Sequence, residues 1–258
     1  MEDTAAMGKE IERPEDLTHE RLAELIVAMF HQILVHHGLY FNEAVHQFGM
    51  EKALEIMDSA WKKSYRVQTR RLAKTLGFAF EDGIVQPLLN MSRDDLLGLV
   101  KSLGANWLAS DGIWFQSVEA AYSMLDAQRC AGGCIGRFCA FEAHSIKAFL
   151  GLEKHAGLEG LKKALRFRLY HQINVQSIID ESSSSVVFQM NECIVQSTRK
   201  DKGLEDYPCK STGMVEYRSF AQAIDERIIV ECLGCPPDRH PSDWYCSWRF
   251  TLKEDSET

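Results

Sequence analysis

The sequence predicts an α+β protein: a mostly helical N-terminal half, then a β-β-α-α-β-β module with an antiparallel sheet. Three observations carry this. Up to about residue 170 apolar residues recur every three or four positions, as in Leu22, Leu25, Ile26, Met29, Phe30, Ile33 and Leu34, the period of an amphipathic helix. Beyond it, Gln172 to Asp180 and Val186 to Glu192 are rich in branched and aromatic residues and flank Glu-Ser-Ser-Ser-Ser, which reads as a β-hairpin. Two further runs, about 227–232 and 244–252, flank a cysteine- and proline-rich turn.

Each element has local support. Thr18 and Ser92 stand where N-caps belong, and Ser92 has Asp95 three residues later, in the arrangement of a capping box. After the hairpin, residues 193–202 and 212–226 read as helices, and the final two runs as strands. The expected division is a helical domain over 1–170 and a cysteine-containing α+β domain over 171–258.

A chain of 258 residues, 45% apolar and 26% charged, can bury a sizeable core. Its uninterrupted apolar runs fall short of the roughly 20 residues that span a bilayer, and Met-Glu-Asp-Thr is acidic where a signal peptide is basic. The expectation is a cytoplasmic protein without a membrane partner. There, eight cysteines point away from a disulfide framework and toward metal, redox, catalytic or packing roles. A formal charge of -8 opposes general nucleic-acid affinity, and the run Arg66, Arg70, Arg71, Lys74 reads as a solvated helical face.

The helical half contains an echo. An offset of 74 places His37-Gly38-Leu-Tyr40-Phe41 over Asp111-Gly112-Ile-Trp114-Phe115, Met50 over Met124, Ala53 over Ala127, and Leu76-Gly77 over Leu150-Gly151. This is either a duplicated helical unit with two related Gly-aromatic turns or the convergence of helices that bury similar faces.

Reactive side chains concentrate in Cys232-Leu-Gly-Cys235-Pro-Pro-Asp238-Arg-His240-Pro241 and Trp244-Tyr-Cys246-Ser-Trp248-Arg-Phe250. The two-residue gap lets Cys232 and Cys235 point at one centre. Period-two alternation puts Trp244, Cys246, Trp248, Phe250 and Leu252 on one face of the last strand, and Ile228, Val230 and Cys232 on one face of its neighbour. Paired as a hairpin, Cys232 and Cys246 enter one buried layer and Cys235 folds back toward them. A fourth ligand would be Cys209, Cys193, His240 or Asp238. Four thiolates suit structural zinc, and three ligands with water suit catalytic zinc. Iron-sulfur clusters and copper(I) also take thiolates. Against these stand a nucleophilic or redox thiol and simple burial, since free cysteine packs as a small apolar residue.

Other candidates are thinner. Cys130 and Cys134 share a helical face that Cys139 leaves, so these three fit packing beside Gly132, Gly133 and Gly136 better than a common site. His31, His36, His37 and His46 lack the spacing of a metal triad, and Glu142, His144 and Asp111 are candidate acid or base groups.

Glu192-Cys193-Ile-Val-Gln196, Tyr207-Pro208-Cys209-Lys210, Glu216-Tyr217, Phe220 to Arg227, Cys232 to Phe250, and Asp111 to Phe115 together resemble a family of bacterial and archaeal cytosolic proteins of unassigned function. More distantly, the last 90 or so residues resemble L-2-amino-thiazoline-4-carboxylate hydrolase-like proteins and the small-molecule-binding domain named after 4-vinyl reductase. The resemblance implies a ligand or metal held near Cys193, Cys209, Cys232, Cys235 and Cys246. The hydrolase analogy implies attack of water on a C=N or amide carbon. Cys235 or metal-bound water would then be the nucleophile, His240 the base, Asp238 its orienter, and Lys210 or Arg249 the carboxylate anchor. The Pro-Pro-Asp-Arg-His-Pro loop departs from the hydrolase pattern.

Overall fold

The computed structural model describes residues 11–203 and 206–253. The chain divides into two compact units, Met1–Gln68 and Thr69–Thr258. The first holds helix α1 (His19–Phe48) and most of α2 (Met50–Leu76). Thr18 Oγ1 caps α1 by accepting the Arg21 N–H at 3.3 Å. Within this unit the rings of His37 and Trp61 lie 6.3 Å apart, edge to face.

The second unit opens with a small hairpin, β1 (Phe80–Glu81) and β2 (Ile84–Val85), then the short helix α3 (Gln86–Leu89). Long helices α4 (Arg93–Ala121) and α5 (Met124–Leu150) follow, then α6 (Gly157–Leu165) and a 3-10 turn over Leu169–Ile173. Ser92 caps α4 by accepting the Asp95 N–H at 3.1 Å, as its capping signature predicts. The remainder is β3 (Val175–Ser182), β4 (Ser185–Glu192), α7 (Ile194–Asp201), α8 (Lys210–Ile224), β5 (Ile228–Gly234) and β6 (Cys246–Leu252). The fold is α+β, and the C-terminal order is β-β-α-α-β-β.

The four strands form one antiparallel sheet in the order β3-β4-β6-β5, so the last strand is central. Register pairs Val186, Phe188 and Met190 of β4 with Phe250, Trp248 and Cys246 of β6, while Val230 and Cys232 of β5 flank the other side. These residues share one face because side chains alternate. Val186, Phe188, Met190, Trp248 and Phe250 form one buried core with Cys139, Ala143 and Ile146 of α5, Leu161 and Leu165 of α6, and Phe220 and Ile224 of α8. The change of character near residue 171 is a change of element type, and the core runs across it. Close approach of α5 and α8 depends on Gly136, where a Cβ would lie 2.9 Å from Val215 Cγ1.

The 74-residue echo extends to the helix ends. α4 begins 74 residues after α1, and α5 both begins and ends 74 residues after α2. Gly77 after α2 and Gly151 after α5 hold φ of +76° and +64°, conformations that favour glycine. The two Gly-aromatic segments are not turns, however. Gly38 and Gly112 lie inside α1 and α4, where continuous apolar periodicity outweighs the weak helix propensity of one glycine. Two boundaries also move: β3 starts at Val175 because the 3-10 turn precedes it, and β6 starts at Cys246, leaving Trp244 and Tyr245 in the loop.

Asp225, 1% exposed, ties this unit together after α8. Its carboxylate accepts the N–H of Gly157 at the start of α6 (2.9 Å) and Nε and Nη2 of Arg227 (3.0 and 2.8 Å). The Arg227 bonds, with the backbone N–H groups of Gly157 and Arg227, hold its carboxyl well below the usual carboxylate range against the upward push of burial. A depressed folded-state value means stabilisation that is full above the unfolded value, roughly 3.9, and is lost as pH falls through the folded one. Asp225→Asn is therefore expected to cost about 3 kcal/mol at pH 7 in denaturant unfolding. The gap to wild type should narrow below about pH 4.

Candidate functional site

Three thiols converge where β5, β6 and α8 meet. Strand β5 carries a bulge between Cys232 and Gly234: Cys232 faces Trp248, yet Gly234 already faces Ser247. The extra residue advances β5 by one position, so Cys235 arrives beside Cys246, the first residue of β6. The Cys209 end of α8 is lashed to the same place by two bonds. Lys210 N–H donates to Pro236 O at 3.0 Å, and Lys210 Nζ pairs with Asp238 Oδ2 at 2.7 Å. Cys209, the N-cap residue of α8, consequently has its Sγ 3.4 Å from Cys235 Sγ. Cys246 also lies close enough to Cys235 to perturb its thiol.

Buried Gln196 of α7 shapes the approach to Cys209. Its Oε1 accepts the Tyr207 N–H at 2.8 Å, and its Nε2 donates to Tyr207 O at 2.9 Å and to Cys209 Sγ at 3.6 Å. The thiols are electrostatically unequal. The bond from Cys235 holds Cys209 below the ordinary thiol range, against burial. The neighbouring thiols of Cys209 and then Cys246, together with burial, push Cys235 far above it. Either sulfur can donate across the 3.4 Å contact, and these shifts favour the proton on Cys235. Cys235 and Cys246 are buried, Cys209 partly exposed.

The other expected site residues are not all gathered at this centre. Cys193, the N-cap residue of α7, is buried, lies 3.5 Å from the Tyr170 hydroxyl, and is pushed up to about 11 by burial. Cys232 faces the same core layer and is raised by burial. Asp238 is committed to Lys210 rather than to His240. His240 instead places Nδ1 2.8 Å from Pro241 O and Nε2 3.5 Å from Asp206 Oδ2. Arg249 pairs with Glu181 and Glu231, each at 2.7 Å, with its side chain alternating to the sheet face opposite Cys246 and Trp248. Among the described residues, no group of three or more His, Cys, Asp or Glu stands in a ready metal-coordinating array. Cys130 and Cys134 are exposed and Cys139 is buried, so their helical spacing separates them as expected but packing accounts for Cys139 and not for the other two.

Sequence reasoning missed Arg168. Only 3% exposed, it donates from Nε to Glu142 (2.8 Å), from Nη1 to Glu216 (2.8 Å) and from Nη2 to Cys139 Sγ (3.3 Å), and its guanidinium lies 4.6 Å from the Phe220 ring centroid. Burial raises the Glu216 carboxyl against the pull of Arg168. Glu142 is thus the partner of a buried cation, and its other oxygen accepts the Leu169 N–H at 2.9 Å. A signal existed: Glu142 falls on the apolar stripe of Cys139, Ala143 and Ile146, and a carboxylate there needs a buried cation.

A family model described as a family of unknown function, DUF6125, matches residues 15–90 and 86–252. No curated protein and no solved structure matches the chain.

Proposed function

Because the chain belongs to DUF6125, a family without an assigned activity, we propose from the site itself a cytosolic binding protein whose C-terminal cysteine centre takes a thiophilic cation of the zinc class. One observation carries the reading: Cys235 stands between two further thiols, Cys209 and Cys246, in a buried layer. Ionising more than one of them requires positive charge at that spot, and the neighbouring cation, Lys210, is already paired with Asp238. Zinc supplies that charge and prefers sulfur. Bonds of about 2.3 Å imply roughly 3.8 Å between sulfurs of a tetrahedral site, so Cys209 and Cys235 need to spread by only a few tenths of an ångström. Cys193 and Cys232, the latter facing the same core layer, are the fourth-ligand candidates. The burial of Cys235, Cys246 and Trp248 favours an ion over an organic ligand. The -8 charge supports a role away from nucleic acid.

Cobalt(II) titration under reducing conditions tests this. Saturable binding with thiolate-to-metal charge-transfer absorption, reversed by zinc, is expected, and absorption typical of oxygen and nitrogen ligands alone would reject the centre.

A second reading rests on the inequality of the pair. A thiol at the N-cap of α8, hydrogen-bonded by a neighbouring thiol, is a nucleophile in waiting. This keeps the hydrolase alternative, a small C=N or amide substrate attacked by a cysteine, but gives the nucleophile's role to Cys209 rather than Cys235. His240 would act from the rim through Asp206. Cys209 is expected to alkylate with a pH midpoint below the usual thiol value of about 8.5, and Cys235→Ala to move that midpoint upward. Mass-resolved iodoacetamide kinetics read both, and an ordinary midpoint unchanged by the substitution would remove this reading.

A further inference from the structure

We infer that α1 is a self-association surface and that its occupant is α1 of a second copy of this chain. Every residue of α1 is exposed or partly so. Yet the helix is apolar on most sides, with Val27 at 69%, Leu34 at 71% and Tyr40 at 70% exposure. A helix hydrophobic all round is stable when its faces are covered. Two kinds of cover fit the composition, since α1 is also long and apolar enough to cross a membrane.

The pattern within the helix favours another helix. Leu22, Ile26, Met29, Ile33, His36 and Tyr40 follow alternating four- and three-residue steps, a continuous heptad seam. Val27, Phe30 and Leu34 widen it on one flank. A bilayer penalises His31, Gln32, His36 and His37, which fall within the apolar stretch. At a helix–helix interface in water His31, Gln32 and His37 stay off the seam, and His36 on it meets a polar partner across the pair. The exposed large apolar residues of α1 offer on the order of 1,000 Å² per chain, against the roughly 800 Å² per partner of a stable interface. A seam of this kind is self-complementary, as a two-fold pair requires.

The repeat carries this pattern into α4. At +74 from Ile26, Met29, Leu39 and Tyr40 stand Val100, Leu103, Ile113 and Trp114 of α4, all exposed as well. α1 and α4 thus present exposed apolar residues at corresponding positions.

Light scattering coupled to size exclusion, on the full chain at micromolar concentration, tests the inference. Twice the 29.3 kDa chain mass is expected, halved to the monomer by Ile26→Glu with Ile33→Glu. Both positions are exposed in the single chain, so its helical circular dichroism should persist. Hydrogen exchange of α1 in wild type provides the second readout, with protection expected to fall on dilution. A monomer at all concentrations, a dimer indifferent to both substitutions, concentration-independent protection of α1, or cosedimentation with neutral vesicles in place of dimerisation would each overturn the inference.

Discussion

Replacing Arg168 with methionine is expected to lower the unfolding free energy by about 3–5 kcal/mol, because it strands Glu142 and Glu216 without their shared cation in a low-dielectric core. Much of that loss is the desolvation of the abandoned carboxylates rather than the worth of the ion pairs. The triple variant Arg168→Met, Glu142→Leu, Glu216→Gln should therefore be more stable than Arg168→Met alone. Denaturant unfolding of the two variants and wild type checks this. The gap between the single variant and wild type should also narrow in acid, as for Asp225→Asn, but because the variant gains stability rather than because wild type loses it. Stranded carboxyls have raised folded-state values, so their penalty is full above those values and is relieved as pH falls through them toward the unfolded value.

The second large effect falls on metal binding. Cys235→Ser is expected to weaken zinc affinity by at least about 100-fold, since Cys235 is the central sulfur of the three and its substitution disconnects Cys209 from Cys246. The exchange is nearly isosteric, so the metal-free protein should keep its fold. Cys130→Ser with Cys134→Ser, at exposed positions on α5, should leave affinity unchanged. Competition against a calibrated chelator measures both.

Much of this architecture was legible in the sequence because its local signals agree with its packing. The alternation of Val186 to Glu192 and of Cys246 to Leu252 reports a sheet with one face on the core, and the serine run between the first two strands marks their turn. The seam of α1 and the capping residues Thr18 and Ser92 report helices that begin where the structure begins them. The small β1–β2 hairpin went unrecognised although Asp82-Gly83, both with positive φ, is a turn signal between two short runs.

The site was legible in part. Alternation brings Cys232 and Cys246 to one layer, but it carries no trace of the bulge that delivers Cys235 to Cys246. Nor does it show the Lys210–Pro236 and Lys210–Asp238 bonds that bring Cys209 from a different element. The first depends on the register of β5 against β6, and the second on contacts between residues more than twenty positions apart. The same long range hides the partnership of Asp238 with Lys210, since proximity in the sequence favours His240.

Elemental analysis of protein purified under reducing conditions without a metal-affinity tag, paired with thiol titration before and after chelation, tests the cysteine centre most directly. About one equivalent of zinc per chain is expected, with at least three thiols, Cys209, Cys235 and Cys246 among them, becoming reactive on its removal. Metal-free protein that fails to take up added zinc, with all eight thiols titrating alike in the presence or absence of chelator, would contradict that expectation.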